Sequence, residues 1–86
     1  MTRPRFTVVH RQEFLDKLTA LWMEFPDIQQ AMDELEVALR TIPDQAGKPF
    51  VHDGVELWYI SHRTVEMIYR ISLDDCQVQL ISIRRV

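Results

Sequence analysis

Apolar positions recur at helical spacing through the first half of the chain and at strand spacing through the second. Phe14, Leu15, Leu18, Leu21, Trp22 and Phe25 stand at i, i+1, i+4, i+7, i+8 and i+11, the pattern of one helix face. Ahead of them the run Phe6, Thr7, Val8 and Val9 is β-branched and aromatic, which predicts a short strand. Pro26 must end the helix near Phe25, because proline disfavours helical geometry in the residue before it, yet it suits the first turn of a following helix. That second helix carries Ile28, Ala31, Met32, Leu35, Ala38, Leu39 and Ile42 on one face, with Asp27 near its start to complement the helix dipole. Pro43 closes it.

The segment "PDQAGKPFVHDG" collects turn formers and reads as a loop of about ten residues, after which everything beyond Gly54 is β. In "VELWYISHRTVEMIYRISLDDCQVQLISIRRV" the residues Val65, Met67, Tyr69 and Ile71 alternate with Glu66, Ile68, Arg70 and Ser72, the period of a strand with one face on a core. Val78, Leu80, Ile81 and Ile83 are apolar on both faces, as expected of a strand inside the sheet. The order is β, α, α, β, β, β. It predicts a single α+β domain over residues 1–86, with a helical hairpin packed on one face of a curled, mainly antiparallel sheet. Leu18, Leu21, Trp22, Met32, Leu35, Leu39, Tyr69 and Ile81 are expected to be buried, and Phe14, Phe25 and Trp58 to fill the contact between helices and sheet.

Composition narrows the function classes. The chain has 86 residues, 47% of them hydrophobic, with two Gly and four Pro, which is a globular composition. A domain this small buries about 60 to 65% of its unfolded surface, so a stabilising partner is plausible. Its one cysteine, Cys76, forms no internal disulfide, and no stretch approaches a membrane span, so a soluble protein of the reducing cytoplasm is expected. The net charge of −3 counts against a free-standing nucleic-acid binder, but it is unevenly distributed. Residues 26–46 hold five acids against Arg40 alone, whereas residues 47–86 hold five acids and five bases. The acidity belongs to the second helix.

The element order, together with "ALRTIPDQAGKPF", "LWYISHRTVEMIYRI" and "VQLISIRRV", resembles the RelE/ParE superfamily of bacterial toxins. The resemblance spans nearly the whole chain. It implies a small toxin neutralised by a cognate antitoxin, acting either as a ribosome-dependent mRNA endonuclease or as a poison of DNA gyrase, with no cofactor. Endonucleases of this kind work without metal: a 2′-hydroxyl attacks the neighbouring phosphate, so a base, an acid and cations around the phosphorane are needed. Where such nucleases carry a phosphate-facing arginine, this chain has Glu66, and a carboxylate there repels the substrate. That departure fits a gyrase-directed member, or a non-enzymatic interaction module that retains the fold without the chemistry, better than it fits a nuclease. A third reading from the residues alone is a small α+β adaptor whose sheet edge recruits a peptide.

The candidate catalytic residues are Arg63, Arg70, Arg84 and Arg85, which form one cationic patch if adjacent strands bring them together, with His62 and Tyr69. Glu56 and Glu66 offer the arginines ordinary cross-strand partners. Arg84 and Arg85 are consecutive and point to opposite faces, so one of them reaches the polar side in any register. His62 sits at an expected hairpin tip, where an imidazole exchanges protons near neutral pH. Tyr69 belongs to the apolar series and reads equally as a core tyrosine. His10, His52 and Cys76 show no metal-ligand spacing, so no metal is expected. The acidic second helix is a solvated face or a surface that meets a basic segment of the antitoxin.

Overall fold

The computed structural model describes residues 5–86. Strand β1 (Thr7–His10) leads into helix α1 (Gln12–Glu24), then α2 (Ile28–Thr41), a single turn α3 (Pro43–Ala46), and four strands: β2 (Lys48–His52), β3 (Val55–His62), β4 (Val65–Ser72) and β5 (Gln77–Arg85). The sheet order is β1-β5-β4-β3-β2. β1 runs parallel to β5, and every other pair is antiparallel, so the sheet is mainly antiparallel as expected.

The break between the helices falls at Phe25, Pro26 and Asp27, and the second helix ends before Pro43, where the two prolines place them. Both helices lie on one face of the sheet. Phe14 from α1 and Ile28, Ala31, Leu35 and Leu39 from α2 meet the inward residues Ile60, Val65, Met67, Tyr69, Val78, Leu80 and Ile83. Leu18, Leu21 and Met32 pack against this core without being fully enclosed.

Three expectations need correction. The expected loop over residues 43–54 contains α3 and strand β2, which pairs with β3 through a two-residue turn at Asp53 and Gly54, both at positive φ. An Asp-Gly pair is suited to that turn, because its backbone twist matches the twist of the flanking strands. Trp22, expected in the core, is 49% exposed. At 100° per residue it lies about 80° around the helix from Phe14, at the margin of the apolar stripe. Ile81, also expected in the core, is 48% exposed. Tyr69 pairs with Leu80 while Ile68 pairs with Ser82, which leaves Ile81 as the extra residue of a β-bulge. The bulge lets Leu80 and Ile83 both face inward although they are three residues apart.

Pro49 sits on the edge strand β2. With His52 and Val55 flanking the turn, alternation of the ladder turns the Pro49 backbone away from β3, so its missing N–H breaks no bond within the sheet.

Candidate functional site

The face of the sheet opposite the helices is bare among the described residues. Strand alternation brings Lys48 and Phe50 of β2, Leu57 and Tyr59 of β3, Glu66, Ile68 and Arg70 of β4, and Ser82 and Arg84 of β5 to this open face. Lys48 is directly opposite Tyr59, Tyr59 opposite Ile68, and Glu66 opposite Arg84. A shallow groove runs between Tyr59, Glu66, Ile68, Ser82 and Arg84.

At the groove the Tyr59 hydroxyl donates to Glu66 Oε2, and Arg84 Nε donates to Glu66 Oε1. The Tyr59 hydroxyl and the Arg84 guanidinium hold the Glu66 carboxyl below its ordinary range, and the same carboxylate pushes the Tyr59 hydroxyl up. Lys48 and Arg70 make no ion pair among the described residues, and both are exposed. The face thus carries three cations, one carboxylate and one phenol around Ile68. Chemically, the cations suit a phosphodiester and the charge that builds on it during attack, and the phenol is a hydrogen-bond donor.

Of the six residues singled out by sequence, only Arg70 and Arg84 reach the open face. Three of the others tie the sheet to the acidic helix. Arg63 Nε donates to Glu34 Oε1 at 2.6 Å, and His62 Nε2 lies 3.0 Å from the same oxygen. Arg85 points to the helix side, where Nη2 is 3.4 Å from Asp27 Oδ2 and the guanidinium lies 4.2 Å from the centroid of the Phe25 ring. Asp27, expected to serve the helix dipole, makes no side-chain cap. Tyr69 is buried, with its hydroxyl donating to the Pro43 carbonyl at 2.6 Å. The four arginines therefore do not form one patch. The acidity of α2 is met in part by the chain's own sheet.

Lys48 and Tyr59 are the open-face residues that sequence reasoning missed. Lys48 falls in the segment whose turn formers predict a loop, and Tyr59 falls in "LWYI", where apolar residues on both sides mask the alternation. The signal available was the Asp-Gly turn, which defines a hairpin and hence the facing of both residues.

The Glu34 clasp has a pH signature. Hydrogen bonds from Arg63 and then His62 lower its carboxyl from 4.5 to about 2. A depressed carboxylate contributes stability that is complete above the unfolded value and is lost as pH falls through the folded one. Glu34→Gln should therefore lower the melting temperature at pH 6 but converge with the parent between about pH 4.5 and 2. Thermal melts across that range check it, and parallel curves throughout would refute it.

Between α1 and α2 a cleft reaches down to the sheet, walled by Phe14, Leu18 and Trp22 on one side and Met32 on the other, with Asp33 and Glu36 at the rim. Among the described residues no helix is long and apolar enough to cross a membrane, and no group of three His, Cys, Asp or Glu is placed to hold a metal ion.

No family model matches the chain, and no curated protein matches it in sequence. In three dimensions it is similar to a chain in the crystal structure of the toxin–antitoxin complex RelBE2 from Mycobacterium tuberculosis. The TM-score is 0.81 at 22% identity, covering 95% of this chain and 92% of that one. At this identity the likeness is one of fold. It is the fold expected from the sequence motifs, a helical hairpin on a mainly antiparallel sheet.

Proposed function

We propose that this protein is the toxin of a bacterial toxin–antitoxin pair of RelE/ParE type, working through its open sheet face and silenced by a cognate antitoxin. The observation that carries the reading is the gathering of Lys48, Arg70, Arg84 and Tyr59 on one uncovered face of a fold shared with a toxin–antitoxin complex. Cations and a phenol on an open sheet fit a phosphodiester, which favours metal-independent cleavage of mRNA on the ribosome over action on gyrase. The antitoxin fits the cleft between α1 and α2. Its walls are apolar, its rim carries Asp33 and Glu36, and the surrounding segment has a charge of −4 from five acids and one base. An apolar segment flanked by Lys or Arg complements such a surface.

A second reading is favoured by one contact. Glu66 holds Arg84, so one of the three cations of the face is engaged, which suits an interaction module that retains the fold without cleavage. Induced expression in bacteria separates the two. The toxin reading expects growth arrest that co-expression of the neighbouring gene's product relieves. Full growth with verified soluble protein would favour the module.

A further inference from the structure

We propose that Glu66 is an internal occupant of an anion-binding pair: its carboxylate sits on Arg84 and Tyr59 where a phosphodiester of single-stranded RNA binds, and it leaves when the RNA arrives. The ligand class rests on the toxin reading above, whereas the occupancy rests on geometry. Each carboxylate oxygen takes its own donor, Oε2 from the Tyr59 hydroxyl and Oε1 from Arg84 Nε. A phosphodiester presents the same two-oxygen pattern through its non-bridging oxygens, and arginine suits both anions.

The donors belong to β3 and β5, on either side of the β4 strand that carries Glu66, so the pair is fixed by the sheet and not by a mobile loop. The Arg84 side chain is 75% exposed and that of Glu66 is 15% exposed. The guanidinium thus meets the carboxylate from the water side, and an ion pair open to water on one side is held weakly and is weakened further by competing anions. The incoming polyanion has further anchors. Lys48 lies across from Tyr59, and Arg70 stands four residues along β4 from Glu66, about 13 Å away by strand geometry. Glu66 therefore holds one cation of the face, while Lys48 and Arg70 make no ion pair among the described residues. Seated on Arg84, the carboxylate lowers the affinity of the face for phosphate without removing any of its cations.

Fluorescence anisotropy with a labelled single-stranded RNA, 2′-O-methylated so that it cannot be cleaved, tests this on the full chain. Glu66→Gln should tighten binding about tenfold, since a hydrogen bond to a charged group becomes available to the RNA. It should also steepen the logarithmic salt dependence by about 0.7, the increment for one more phosphate contact on a single strand. The double variant Glu66→Gln with Arg84→Ala should bind no more tightly than Arg84→Ala alone. Glu24→Gln, which makes the same change in net charge at the exposed end of α1, should leave affinity within about twofold of the parent. A gain from Glu66→Gln no larger than that from Glu24→Gln, or one that survives loss of Arg84, would overturn the proposal. So would a simple drop in melting temperature with no gain in binding, the result expected of a purely structural cross-strand pair. If those outcomes occur while induced expression still arrests growth and the antitoxin still relieves it, the toxin reading stands and only the role of Glu66 falls.

Discussion

Tyr69→Ala is expected to abolish the stable fold at 37 °C. Tyr69 is 0% exposed and is the largest of the fully buried side chains. Truncating a large buried aromatic costs about 3 to 5 kcal/mol, against a total of about 4 to 13 kcal/mol for a chain of this length. The hydroxyl matters separately, because it donates to the Pro43 carbonyl at 2.6 Å and so ties α3 to the centre of the sheet. Tyr69→Phe leaves that carbonyl buried without its partner, at a cost of about 1 to 3 kcal/mol, or very roughly 5 to 20 °C in melting temperature.

Gly47→Ala attacks the same place from the other side. A Cβ there would stand 2.5 Å from the Tyr69 hydroxyl oxygen and 2.6 Å from the Tyr59 backbone oxygen, and the second of these cannot rotate away. Burial also pushes the Tyr69 hydroxyl up to about 12 from an ordinary 10. Its contribution to stability is therefore complete below pH 10 and lost as pH rises towards 12, a loss Tyr69→Phe should not show. Denaturation monitored by circular dichroism for the three variants, with a pH series for the parent and Tyr69→Phe, checks the set. Wild-type-like melting of Gly47→Ala would show that the packing around Pro43 is loose. Tyr69 links fold to function, since the segment it anchors continues directly into β2 and Lys48.

Much of this architecture was legible in the chain because single-element periodicity decides it. Pro26 and Pro43 bound α2, and the stripes of α1, α2 and β4 each name their buried face. What the sequence hid depends on partners. β2 is five residues long, wholly exposed and interrupted by Pro49, so it has no hydrophobic alternation to announce it. The bulge at Ile81 arises only when β5 pairs with β4, and the adjacent apolar residues Leu80 and Ile81 offer no hint of which one is displaced. Trp22 shows the limit of a stripe: membership at the margin says nothing about whether a neighbouring helix comes close enough to cover it.

The candidate site was less legible for the same reason. Counting arginines in a β-rich tail cannot separate faces, because strands distribute neighbours alternately to both sides. Arg84 and Arg85 did separate as alternation requires, but Arg63 and His62 were drawn to Glu34, an acid 28 or 29 residues away in the chain. In the sequence the acidic helix and the arginines of the strand-rich tail are two independent features. On the helix side of the sheet they meet, since Glu34 receives Arg63 and His62 and Asp27 receives Arg85.

If the chain cleaves mRNA as proposed, Arg84→Ala should lower that cleavage by about a hundredfold to a thousandfold, the usual loss when one donor to a developing oxyanion is removed. Arg84 is exposed and contributes nothing to the core, so the melting temperature should change little. Arg85→Ala provides the contrast: Arg85 packs over Phe25 and pairs with Asp27 at the junction of the helices, so its loss should act through stability. Lys48→Ala and Tyr59→Phe should reduce cleavage with the fold retained. Glu66→Arg exchanges an anion for a cation beside Arg84, a change of two charge units at the proposed phosphate site, and should raise cleavage wherever the parent supports any. Mapping mRNA ends on ribosomes after induction reads all five variants. Codon-positioned cuts that survive Arg84→Ala undiminished would place the chemistry away from the open face. Growth arrest with intact mRNA and DNA-damage signalling would move the target to gyrase, and neither cuts nor arrest would leave Glu66 as the mark of a domain that binds without cleaving.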